Sequence, residues 1–149
     1  MKNIWMYFTL PLFLASCGAP SNDGNTSDNK EAQKIDDGTG VGEIKQVTLT
    51  NPLNQQMLDR GKAIYELKCA ACHRLTDQRV VGPGFLGVTE RRKPEWIMNM
   101  ITNVENMLVE DAAARALLEE CLTRMPNQNV SIGDARDVLE FFRQNDGEE

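Results

Sequence analysis

Apolar residues fall into two blocks separated by a polar stretch. The first block runs from Ile4 to Ala15 and is broken only by Thr9 and Pro11. It is shorter than the roughly 20 residues a membrane-spanning helix needs. Pro11 in mid-run also argues against a buried core helix. With Lys2 ahead of it and small residues behind, 1–16 reads as an export signal. From Gly18 to about Thr50, Ser, Asn, Asp and Gly dominate and no aromatic residue occurs. Such a segment buries too little apolar surface to offset its ordering entropy, so 17–51 is predicted as a flexible linker, with Val47–Thr50 as an extended lead.

The second block, 52–149, carries helical periodicity throughout. Asn51-Pro52 offers an N-cap followed by Pro at the first helical position. Behind it Met57, Gly61, Ile64, Tyr65 and Lys68 share one spacing. Pro94-Glu95 opens a second helix, with Ile97, Ile101 and Val104 on one stripe. Residues 110–123 predict a third, rich in Ala and Leu and stopped by Pro126. Ser131 caps the last, which runs to about Gln144 and presents Ile132, Ala135, Val138, Leu139 and Phe142. No alternating strand pattern and no internal repeat occurs, so the domain is predicted to be all-α with about four helices.

Composition narrows the chemistry. The 149 residues hold 16 Lys+Arg against 22 Asp+Glu, a net charge of −6, which excludes the basic stripe of a nucleic-acid binder. The single histidine, His73, excludes paired-histidine zinc sites and bis-histidine haem within one chain.

Two cysteine motifs carry the rest. Leu14-Ala15-Ser16-Cys17, directly after the apolar run, resembles the lipobox of bacterial lipoproteins. That resemblance implies lipidation of Cys17, and several acyl chains on one residue give stable anchoring where one would not. Cys69-Ala70-Ala71-Cys72-His73 is a Cys-x-x-Cys-His motif, the attachment sequence for c-type haem. The two thiols add to the haem vinyl groups, and the adjacent imidazole reaches the iron from one face. A thioredoxin-like pair would follow a strand and open a helix, whereas this one ends a helix. A structural zinc site would need further ligands.

With this motif in place, about residues 52–146 resemble a monohaem class I cytochrome c. Gly61-x-x-x-Tyr65 is similar to the glycine and aromatic of that family's first helix, and Leu139-x-x-Phe142 to the pair on its last. The resemblance implies one covalent haem c per chain and a close crossing of those two helices. It further implies that Pro83, within Gly82-Pro83-Gly84, offers its carbonyl to the His73 N–H and fixes the ring. For the sixth iron ligand the chain offers Met57, Met98, Met100, Met107, Met125 and Cys121. Met125-Pro126, in a loop between two helices, looks like the family's ligand loop and makes Met125 the expected ligand. Cys121 is expected to be a buried thiol beside Leu117 and Leu118. Trp96 is expected either to donate its indole N–H to a haem propionate or to serve as an aromatic anchor. Arg91-Arg92-Lys93 is either a solvated charge run or a group near the propionates.

Two strong axial ligands leave no open iron position, so the expected function is electron transfer, without enzymatic activity. The alternative is a five-coordinate gas-binding or sensor haem protein. Export and lipidation imply anchoring to a bacterial membrane, facing the periplasm or the cell exterior, and the protein is expected to be a monomer. Its redox partners would be a quinol-oxidising complex or other donor, and a reductase or oxidase as acceptor. Arg91–Val104 and Cys121–Asn129 look similar to lipoprotein cytochromes that accompany nitrous oxide reductase in denitrification.

Overall fold

The computed structural model describes residues 37–121 and 123–149. The predicted export signal, Cys17 and the linker as far as residue 36 lie outside the described residues. Among the described residues there are six helices and no strand: α1 (Gln55–Lys68), α2 (Val88–Arg91), α3 (Pro94–Thr102), α4 (Val104–Glu110), α5 (Ala112–Glu119) and α6 (Ile132–Asn145). None of these helices is long and apolar enough to cross a membrane.

The scaffold is the crossing of α1 and α6. Gly61 makes it possible: a Cβ there would lie 2.1 Å from the Asp137 carbonyl oxygen, so only a bare backbone fits. One turn further along α1, Tyr65 packs on Phe141 and Phe142, with ring centroids 5.6 and 6.3 Å away. Arg60 grips Asp137 with one guanidinium edge, Nε and Nη2 donating to the two carboxylate oxygens at 2.6 and 2.9 Å, on the flank of the crossing. Val138, Leu139 and Phe142 turn the inner face of α6 toward α1 and α3 and are buried.

Helix boundaries differ from the sequence pattern in three places. The helix opened by Pro94 ends at Thr102, with Asn103 between it and α4, so Val104 starts α4 instead of continuing the stripe of Ile97 and Ile101. α1 begins three residues later than expected. Asn54, rather than Asn51, accepts from the Met57 N–H at 3.1 Å. The single helix predicted over 110–123 is shorter, and Asp111 splits it from α4. The Asp111 carboxylate caps α5 by accepting from the Ala114 N–H at 2.7 Å, a local bond that competes with helix continuation. At its other end α5 stops at Glu119, and Cys121 lies beyond it rather than on its apolar side.

The largest correction concerns 37–51. This segment was expected to belong to the linker, yet it is a strap laid across α3 and α4. Ile44 is buried, and Val41 and Val47 pack beside it. The buried Asn99 side chain acts as a false backbone for the strap. Its Oδ1 accepts from the Ile44 N–H at 3.2 Å, and its Nδ2 donates to the carbonyls of Thr39 and Ile44, both at 2.9 Å. Val41 N–H donates to the Met107 sulfur at 3.0 Å, and Val47 N–H to Glu95 at 2.9 Å. Few apolar side chains suffice here because the polar backbone finds partners on the helices.

The strap ends in a buried ionic knot. Glu140, fully buried on α6, accepts from the Thr50 hydroxyl, from the Asn54 N–H at 2.9 Å, and from Arg136 and Arg143 at 2.6 and 2.9 Å. Burial alone would raise the carboxyl pKa. The bonds from Thr50, Asn54 and Arg136 outweigh it and hold the group at about 2.

Candidate functional site

The Cys69–His73 turn is a tightened continuation of α1. Cys69 N–H donates to the Tyr65 carbonyl at 2.9 Å, and both Cys72 and His73 N–H donate back to the Cys69 carbonyl at 3.0 Å. The Tyr65 hydroxyl donates to the His73 carbonyl at 2.9 Å, tying the turn to the helix crossing. Cys69, Cys72 and Cys121 form no disulfide among the described residues, and burial pushes the Cys69 thiol up, opposed by Lys68.

His73 is buried and its ring is fixed on several sides. Phe85 stacks on it at 4.4 Å between centroids and 11° between planes. Nδ1 lies 2.8 Å from the Pro83 carbonyl oxygen. That oxygen can only accept, so Nδ1 carries the proton and Nε2 keeps its lone pair. Burial lowers the imidazole pKa, and the bond to Pro83 opposes it. Neutral imidazole is the ligating form. Gly82 leaves no room for a side chain against the ring, since a Cβ would sit 2.2 Å from His73 Cε1.

Facing the ring is a cavity of about 480 Å³, lined by Cys72, His73 and Pro83 on one side and by α3, α5 and the loop holding Met125 on the other. Its walls are largely apolar, including Phe85, Ile97, Leu108 and Phe142. Among the described residues, the charged side chains of its lining are Arg91, Arg92 and Arg124. A flat apolar group with anionic edges matches that lining, and the volume lies within the roughly 300–1,000 Å³ of cofactor pockets. The residues present therefore fit a haem. Cys72 and His73 stand at the cavity wall, with Cys69 half-buried at the end of α1.

The cavity sorts the candidate sulfur ligands. Met125, half-buried between α5 and α6, lines it, as do Met100 and Cys121. Met98 and Met107 are buried in the core instead, and Met107 already accepts from Val41. Met57 sits on α1 outside the lining.

Two roles were open for Trp96, a donor to a propionate or an aromatic anchor on its helix, and it is buried on α3. Its ring lines the cavity, but its indole N–H donates to Asp111 at 3.1 Å. The break between α4 and α5 brings that carboxylate under the indole, so the N–H is used inside the protein rather than offered to a propionate. The guanidinium of Arg92 lies 4.6 Å over the same ring. Of the basic run, Arg91 and Arg92 reach the cavity, whereas Lys93 donates to the Asp37 carbonyl of the strap at 2.5 Å. Sequence reasoning missed Phe85 as the ring's stacking partner, Arg124 in the lining and Asn99 as the strap's anchor. Only Phe85, just after Gly82-Pro83-Gly84, left a local signal.

Comparisons with known proteins agree with this geometry. The family model for cytochrome c matches residues 58–146. The chain is similar to a "Cytochrome c-553-like" protein of Synechocystis sp. (strain ATCC 27184 / PCC 6803 / Kazusa), 36% identical over 45 residues, or 30% of this chain. That match spans 43% of the relative's length. Among solved structures, a cytochrome c from Rhodothermus marinus superposes with a TM-score of 0.68 at 35% identity, covering 70% of this chain and 90% of that one. An engineered form of that cytochrome gives 0.67 at 34% identity over the same shares.

Proposed function

This chain belongs to the cytochrome c family and binds one covalently attached haem c, and we propose that it is a membrane-tethered carrier of single electrons with His73 and Met125 as the axial pair. The observation that carries the reading is the shared cavity: an imidazole with its Nδ1–H engaged by Pro83 and a thioether from a separate loop line the same apolar space. When bound, the haem supplies a ferrous–ferric couple. Cys69 and Cys72 hold it through thioether bonds. Pro83 and Phe85 orient the His73 ring, which lines the cavity and would offer its unprotonated Nε2 to the iron. Met125, which lines the same cavity, would supply a soft sulfur ligand, and such a ligand favours the reduced state over nitrogen ligation. The apolar walls exclude water, which also favours the less charged reduced site. No acid–base pair serves substrate chemistry in this arrangement.

Lipidated Cys17 is the proposed anchor, placing the domain on a bacterial membrane facing the periplasm or cell exterior. Export supports this, because the lipobox-like run and the haem motif occur in one chain. The proposed donor is a quinol-oxidising complex, and the proposed acceptor is a respiratory reductase, with nitrous oxide reductase of denitrification favoured by the likeness of Arg91–Val104 and Cys121–Asn129. Small, weak docking contacts suit such turnover.

The reading is tested on the full chain purified with its haem. A weak red charge-transfer band in the ferric spectrum and no carbon monoxide binding to the ferrous form support His/Met ligation, whereas a five-coordinate spectrum overturns it. Cys17→Ala should move the protein out of the membrane fraction without altering the spectrum. Electron delivery to purified nitrous oxide reductase, compared with a terminal oxidase, tests the acceptor.

A further inference from the structure

The loop that carries Met125 is tied at both ends to the segment that carries His73. Before the loop, Arg79 donates from Nη1 to the Glu120 carbonyl at 2.8 Å and from Nη2 to the Glu120 carboxylate at 2.5 Å. After it, Lys68 Nζ donates to the Gln128 carbonyl at 2.9 Å. Lys68 directly precedes Cys69, and Arg79 pairs with His73 in an isolated antiparallel bridge. The two cations thus flank the Cys69–His73 turn and reach across to the two flanks of the Met125 loop.

From this geometry we infer that Lys68 and Arg79 are positioning residues that set the gap between the His73 and Met125 loops. This rests on Met125 being the sixth ligand. The two bonds go to backbone carbonyls of the opposite loop, which no helix or strand ladder satisfies. The Arg79–Glu120 ion pair is half-exposed, at 41% and 59%, and such pairs add little to global stability. Their effect is local. Ordering loop backbone carries an entropy cost, and a thioether is a weak ligand for ferric iron. The protein itself must therefore hold Met125 near its working position. Other contacts stiffen the far end. Asn127 accepts from the Asn129 N–H at 2.8 Å and donates to Glu105 at 3.1 Å, while Asn129 adopts a left-handed φ of 51°. Those bonds shape the loop, whereas the hydrogen bonds that join it to the histidine side among the described residues come from Lys68 and Arg79.

The test uses the haem-loaded protein and imidazole as a competing ligand for ferric iron. Lys68→Met and Arg79→Gln should each raise imidazole affinity about tenfold and weaken the red ferric band, with melting temperature shifted by only a few degrees. The double variant should exceed either single one. Lys68→Arg and Arg79→Lys, which keep a cationic donor, should restore most of the parent behaviour. Parent imidazole affinity in both loss variants overturns the inference, as does a fall in melting temperature with no change in affinity. Met125→Ala separates the two levels. If it keeps the red band, the ligand assignment fails and the inference with it. If it loses the band while Lys68→Met and Arg79→Gln bind imidazole like the parent, only the inference fails.

Discussion

Gly82 stands against the edge of the His73 ring, where a Cβ would come within 2.2 Å of Cε1 and 2.7 Å of Nδ1. The same residue's N–H donates to the Cys72 carbonyl at 3.0 Å, so the backbone cannot retreat without losing that bond. Gly82→Ala should therefore push the imidazole off the Pro83 carbonyl. The expected cost is about 1–3 kcal/mol of stability from overpacking, with a shifted haem absorption spectrum. Thermal denaturation and the ferric spectrum check this; a variant matching the parent in both would show that the ring has room to move.

Met125 shares its cavity with Met100 and Cys121. Met125→Ala should open the sixth position to water or carbon monoxide while the haem stays attached through Cys69 and Cys72. Met125→His should keep six-coordination and lower the reduction potential. Met100→Ala and Cys121→Ala should keep the red ferric band. Its loss in either of these would transfer the ligand role.

Glu140 gives the domain an acid-sensitive fastening. Its carboxyl is depressed from 4.5 to about 2 in the fold. Such a group stabilises the fold fully above its unfolded pKa, and the contribution disappears as pH falls through the folded one. The loss should run from about pH 4.5 down to about pH 2 and amount to roughly 3 kcal/mol. In Glu140→Gln that acid slope should shrink. The variant should also be less stable by roughly 3–5 kcal/mol at neutral pH, because Arg136 and Arg143 lose their buried counter-charge. Urea unfolding at a series of pH values measures both effects.

Asn99 replaces a missing strand partner for the strap. Asn99→Ala should leave the Ile44 N–H and the Thr39 and Ile44 carbonyls without their bonds, at a cost of about 2–4 kcal/mol. Removing residues 1–36 should leave domain stability nearly unchanged, whereas removal through Gln46 should lower it by a comparable 2–4 kcal/mol. Equal melting temperatures for the two truncations would return 37–46 to the linker.

What the sequence made legible is what is coded locally. Cys69, Cys72 and His73 sit within five residues, the Ser131 cap is adjacent to its helix, and Gly61 with Tyr65 shares one helical face. What it hid depends on distant partners. Two asparagines three residues apart could both have capped α1, and Asn54 takes the role beside Glu140, 86 residues onward, which accepts its N–H. The strap looks like linker because its information lies in Asn99, not in its own composition. Trp96 met Asp111 only because the helix pattern breaks at a residue whose short carboxylate suits a cap.

The dependence of α1 on α6 has a consequence for the order in which the molecule comes together. Gly61 and Asp137 are separated by about half the chain, so their contact closes a long loop and cannot form until the final helix has been made. A chain emerging amino end first exposes Cys69 and Cys72 well before α6 arrives to pull Tyr65, and through it the His73 turn, into place. Assembly thus contains a built-in interval in which the two thiols are reachable with no part of a finished fold to open. The late arrival of α6 then closes that interval and sets the imidazole.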